Sequence, residues 1–248
     1  MLDDPSQALL FVVVQDTAFF VLTIGLFWVG VYVARRLGRP VGYSLAPLGF
    51  SKPKIGYLAG VGLGLTVGTV ALVASLLITP LSAYVVEELG YSSESKVQGP
   101  FREGLASWVG ESPETAIPAI VAVVVFLGPA VEELVFRGAV FGGLYRLGLF
   151  FSRKLGGKPD GKPDGGGRGA GGQVSFALSA LISSVLFSLV HLEPVILPVL
   201  FILAVVLCVL YRRTKSLLPC LVAHATFNSF AVLVVILMGL GALPVPPI

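Results

Sequence analysis

Apolar residues come in long unbroken runs along this chain, and polar residues gather in a few short stretches between them. Runs of this length read as helices that cross a hydrocarbon layer about 30 Å thick, which takes roughly 20 residues at 1.5 Å each. The pattern predicts six. The first covers about Thr17 to Ala34, with Asp16 at its edge as an interfacial acid. The second covers about Ile55 to Val85, and the third is a long region from Ala116 to Phe150. The last three run from about Val174 to His191, Val195 to Tyr211 and Leu217 to Leu240.

The third region is too long for a simple span. A continuous helix over it would measure about 53 Å. It is therefore expected to be tilted and protruding, or broken near Gly128-Pro129. In the second span Gly56, Gly60, Gly64 and Gly68 recur every fourth residue. That spacing lines one helix face with small residues and suits close helix packing. Between the second and third regions lies an acidic segment, Glu87 to Glu114, read as a loop in which Trp108 suits a membrane interface.

Composition agrees. Of 248 residues, 55% are hydrophobic and 12% charged, against about 25% charged in a soluble domain. Mean hydropathy is +0.91. The expected fold is an all-α, polytopic membrane helix bundle. An outer-membrane barrel would need alternating strands of about ten residues, which are absent. Residues 1–114 read as N-terminal spans and the acidic external loop, and residues 115–240 as a catalytic membrane core. Residues 152–173, Gly-rich and with Lys-Pro-Asp-Gly repeated at 158 and 162, are expected to be disordered. No cleavable signal peptide is expected, since Met1-Leu2-Asp3-Asp4 has no basic lead. Cys208 and Cys220 read as small buried hydrophobes.

Charge sets an orientation. Fourteen of the seventeen Lys and Arg residues fall in three segments: five at 35–54, six at 146–168 and three at 212–215. Basic loops stay in the cytosol, so both termini are expected outside, in a multi-pass protein of the cell membrane. Sorted this way, the net charge of +3 is no nucleic-acid signature.

Five ionisable groups remain at membrane depth: Glu132, Glu133, Arg137, His191 and His224. Each costs about 2.5–3.5 kcal/mol in a bare span, so they must be paired or face a cavity. Residues four apart share a helix face. Glu133 and Arg137 are thus expected to form a structural ion pair, while Glu132 points about 100° away and needs a partner on another helix. The chain's two histidines are the candidates. His224 and Asn228 also share one face. A carboxylate and an imidazole together activate water, and an imidazole with a carboxamide stabilises an oxyanion. That set supports peptide hydrolysis without a covalent intermediate. Ser183, Ser184 and Ser188 read as packing serines. No metal is favoured, but Glu132, His191 and His224 would make a two-His, one-Glu zinc set, so a zinc cofactor stays open. So do an ion-coupled transporter and a non-catalytic membrane scaffold.

Glu-Glu-x-x-x-Arg at 132–137, Phe-x-x-x-His at 187–191 and His-x-x-x-Asn at 224–228, in this order, resemble the CAAX protease and bacteriocin-processing family. Type II CAAX prenyl endopeptidases are members. The resemblance covers about residues 115–240. It implies an intramembrane glutamate protease in which Glu132 and His191 activate water and His224 and Asn228 form the oxyanion site, with Glu133 and Arg137 structural. It also implies membrane lipid around the protein and a lipid-anchored or membrane-protein substrate, such as a prenylated C-terminal peptide. One difficulty stands: counted from the basic loops, Glu132, His224 and His191 lie about 20, 13 and 26 Å deep. A protruding or broken helix must bring them level.

Overall fold

The computed structural model describes residues 5–96, 98–155 and 169–244. All regular structure in them is helical. The helices are α1 (Pro5–Arg36), α2 (Tyr57–Glu88), α3 (Gln98–Glu111), α4 (Pro113–Ser152), α5 (Ala170–Leu189), α6 (Leu197–Thr214) and α7 (Leu218–Gly239). All except α3 are long and apolar enough to cross a membrane. This is a multi-pass membrane bundle, and α1 and α2 carry the evidence on their surfaces: Phe11, Leu22, Leu58 and Leu77 are each more than half exposed. Such faces suit lipid rather than water.

Three expectations need correction. The first helix begins at Pro5, twelve residues before the expected span, so Asp16 lies inside it and is buried. The acidic segment is not a plain loop, because α3 forms within it. Leu105, Ala106 and Val109 of α3 are buried, and Val109 packs against Gly239 at the end of α7. The segment 152–173 is helical at both of its described ends, since α4 runs through Ser152 and α5 starts at Ala170. Its Lys-Pro-Asp-Gly repeats lie outside the described residues.

The third region is one helix of 40 residues, about 60 Å long. It does not break at Gly128-Pro129. The turns Val121–Leu127 and Leu134–Phe141 widen to π winding on either side of the α-helical Gly128–Glu133. Proline has no N–H to give to the preceding turn, and the wider winding absorbs that loss while the helix continues. π turns also release backbone carbonyls for other partners.

Small residues set the packing of α2 on α7. A methyl on Gly64 would stand 2.7 Å from the Pro219 carbonyl oxygen, and one on Gly68 would stand 2.5 Å from that of Ala223. Gly60 meets Pro53 and Pro219, whereas Gly56 touches nothing and sits at the N-terminal turn with φ +88°. Three of the four glycines in the stripe are thus packing residues. Cys208 and Cys220 are fully buried free thiols.

The loops sort by side. The Pro47 carbonyl accepts from Arg146 Nη1 at 2.7 Å, Lys54 N donates to Thr214 O at 3.0 Å, and Leu217 N donates to Gly49 O at 3.0 Å. The first basic segment therefore touches parts of the other two. On the other side the buried Glu193 carboxylate accepts from Ser95 Oγ and Gln98 N, both at 2.7 Å. This ties the turn after α5 to the acidic segment.

Candidate active site

α4 supplies three of the five expected charges, and its winding determines where they point. Glu133 and Arg137 are each 0% exposed. Arg137 Nη1 lies 3.0 Å from Glu133 Oε1, without the alignment of a hydrogen bond. The remaining guanidinium nitrogens have no hydrogen-bond partner among the described residues. They are covered instead by the ring of Phe187, whose centroid lies 4.3 Å from Arg137 Cζ. A cation on an aromatic face gains about 2 kcal/mol when desolvated, which offsets part of the cost of burial.

His224 arrives from α7, 2% exposed, and lies between the two glutamates. Its Nδ1 donates to Glu133 Oε1 at 2.9 Å. With Nδ1 committed, Nε2 is the nitrogen turned toward Glu132, 3.7 Å from Oε2. A carboxylate that fixes the tautomer and tilt of a functional imidazole is a recurring arrangement. Glu133 therefore serves two partners, Arg137 and His224, where the sequence suggested one. The Glu132 side chain keeps 30% exposure, so it is the one carboxylate of the pair open to an incoming molecule.

His191 stands at the end of α5. Its Nδ1 contacts the Phe187 carbonyl oxygen at 2.8 Å, and its ring lies 4.9 Å from that of Phe187. The His224 ring lies 5.6 Å from the same phenyl group. Phe187 is thus a shared wall: both imidazoles and Arg137 border it. The structure places Glu132 beside His224 rather than within ion-pair reach of His191. Asn228, one turn beyond His224, donates Nδ2 to Val124 O at 3.1 Å. In π winding Val124 O would take the N–H of residue 129, and residue 129 is Pro. The carboxamide fills that gap and retains its second N–H.

The serines behave as packing groups. Ser183 donates to Phe136 O at 2.8 Å, within the second π segment, and Ser188 donates to Ser184 O. The zinc set fits poorly. Among the described residues no three His, Cys, Asp or Glu side chains gather as metal ligands, and His224 turns both ring nitrogens to carboxylates.

Asp16 was missed as a neighbour of this site. It is 4% exposed, and its Oδ2 faces Gly128 on α4. A signal was available: Ala8 to Val14 is apolar, and extending the first span over it would have drawn Asp16 inside. Phe187 was visible as the first residue of Phe-x-x-x-His, but nothing in its spacing showed that Arg137 lies on it.

Residues 114–230 match the family model described as Type II CAAX prenyl endopeptidase Rce1-like. No curated protein matches the chain, and neither does any solved structure. The matched stretch holds Glu132, Glu133, Arg137, His191, His224 and Asn228, but not Asp16. The resemblance read from the three motifs therefore stands, and the family indicates a membrane protease of the CAAX type.

Proposed function

With residues 114–230 taken as Rce1-like, we propose that this protein is an intramembrane endopeptidase that hydrolyses a peptide bond by water activated at Glu132. The observation that carries the reading is the pairing of Glu132 with His224. Glu132 is the only partly exposed carboxylate on the cluster, and it meets an imidazole whose orientation a second, fully buried carboxylate holds.

In this mechanism Glu132 takes a proton from water, and the water oxygen bonds to the scissile carbonyl carbon. His191, at the open end of α5, presents Nε2 and assists that proton transfer, because its Nδ1 is held by Phe187 O. The carbonyl electron pair moves to oxygen. With a proton on each ring nitrogen, as its place between Glu133 and Glu132 allows, His224 donates from Nε2 to the oxyanion that forms, and the second N–H of Asn228 joins it. Collapse expels the amine, which takes the proton from Glu132. Glu133 and Arg137 stay out of the chemistry and fix His224.

The substrate follows from the surroundings: a lipid-anchored or membrane-embedded chain, with a prenylated C-terminal peptide as the leading candidate. No nucleic acid is involved. Basic loops in the cytosol and termini outside complete the proposed topology. The reading needs no metal, and cleavage that survives strong chelators would support that part of it. The test of function is a comparison of membrane-protein C-termini in cells carrying wild-type or Glu132→Ala protein. Fragments that appear only with the wild type support the reading. Identical C-termini in both would overturn it.

A further inference from the structure

Asp16 has no assigned partner, and its position is hard to account for as packing. It stands about a third of the way along α1, and at 4% exposure it is as enclosed as the core residues around it. It forms no ion pair among the described residues, and its Oδ2 has no hydrogen-bond partner. A buried carboxylate oxygen left in that state costs on the order of 1–3 kcal/mol or more. An acid that served only to be tolerated would turn to a lipid interface or to a cation.

Instead, the Asp16 and Glu132 carboxylates flank the same residue, Gly128 of α4. A methyl built on Gly128 would lie 3.7 Å from Asp16 Oδ2 and 3.9 Å from Glu132 Oε1. Both acids thus border the bare face of Gly128, where no side chain separates them. Glu132 Oε2, on the same carboxylate, is also without a hydrogen-bond partner. Two acceptors that converge on one small space call for a small donor with two hydrogens.

We infer that Asp16 is a second carboxylate of the active site, which accepts one hydrogen of the water that Glu132 deprotonates. This rests on the protease reading above. Glu132 removes one proton. The other O–H stays hydrogen-bonded to Asp16, which directs the oxygen lone pair toward the carbonyl carbon. The C–O bond forms, the carbonyl pair moves to oxygen, and the C–N bond then breaks with the Glu132 proton passing to nitrogen. The new carboxyl group keeps the O–H that Asp16 held, so atoms and electrons balance. α1, which lies outside the matched stretch 114–230, becomes part of the catalytic machinery.

The experiment uses the full-length protein in liposomes with a lipid-anchored reporter peptide. Asp16→Ala should lower kcat about 100-fold, the scale of a misdirected reacting atom, with KM little changed. Asp16→Asn, which keeps one acceptor oxygen, should fall between. Gly128→Ala should lower kcat similarly, because its methyl crowds a water that bridges the two acids, and adding Asp16→Ala should cost little more. Wild-type kcat in Asp16→Ala would overturn the inference and leave the protease reading intact. Full activity in Glu132→Gln, or none in the wild type, would instead overturn the protease reading. A readout without catalysis covers that case: a melting-temperature cycle of Asp16→Asn and Glu132→Gln. Non-additive shifts place the two acids in one interaction, and additive shifts reject it.

Discussion

Glu133 and His224, ninety-one positions apart in the chain, are joined at 2.9 Å, Oε1 to Nδ1. The same oxygen faces Arg137 at 3.0 Å. One buried carboxylate therefore both orients the imidazole and neutralises the guanidinium. Glu133→Gln keeps an acceptor for His224 but leaves Arg137 buried and unpaired. The expected cost is about 3–5 kcal/mol of stability, seen as a lower melting temperature in detergent. Adding Arg137→Met should recover a large part of it. A double variant no more stable than Glu133→Gln would show that the charge pair is not the reason.

Asn228 closes a gap that Pro129 leaves in α4. Asn228→Ala should uncover the Val124 carbonyl and cost about 1–3 kcal/mol. Asn228→Asp should be worse, since a carboxylate cannot donate to a carbonyl oxygen. Melting temperatures in the order wild type, Ala, Asp check both the hydrogen bond and its direction.

Gly64 and Gly68 let α2 lie against the backbone of α7, which carries His224. Gly64→Ala places a methyl 2.7 Å from a main-chain oxygen, and a backbone cannot swing aside as a side-chain end can. A loss of about 1–3 kcal/mol is expected, together with reduced cleavage as α7 shifts. Gly62→Ala on the same helix meets nothing within 4 Å and should be neutral in both assays.

Lys215 closes α6 with φ +58°, a left-handed conformation that disfavours side chains. Lys215 is exposed, but partial desolvation, and then Lys54, Arg212 and Arg146 nearby, push its ammonium below the ordinary lysine value of 10.5. Such a group weakens the fold while it is charged, and the penalty fades as pH climbs toward 10.5. Lys215→Gly should therefore be more stable by about 1 kcal/mol from the backbone alone. The gain should be largest at neutral pH and shrink at alkaline pH. A pH series of melting temperatures reads both effects.

Much of this was legible in the residues. Six spans, the glycine stripe and the Glu133–Arg137 spacing follow from period and hydropathy, which are local properties. α3 escaped because Glu103 and Glu111 mask a short apolar stripe of Leu105, Ala106 and Val109 that residues of α1, α4 and α7 complete. The winding of α4 escaped because Gly128-Pro129 reads equally well as a break. π turns on both sides keep it one helix and free Val124 O for Asn228. The depth conflict among Glu132, His191 and His224 is eased in part, since α4 is one 40-residue helix, longer than the hydrocarbon layer, and Glu132 Oε2 lies 3.7 Å from His224 Nε2. His191 reaches them only through Phe187. Which side chains of different helices meet is a tertiary fact, and spacing within one helix does not encode it. That is why Glu133–His224 and Asp16–Glu132 became visible only in three dimensions.

The central claim is that Glu132 activates water for peptide hydrolysis. Its most direct test is the turnover of a lipid-anchored reporter peptide by purified protein in liposomes, wild type against Glu132→Gln, with melting temperature measured on both. The account predicts cleavage by the wild type and a fall of about 100- to 10,000-fold in Glu132→Gln, with the fold intact. Cleavage by a folded Glu132→Gln protein at the wild-type rate would contradict it.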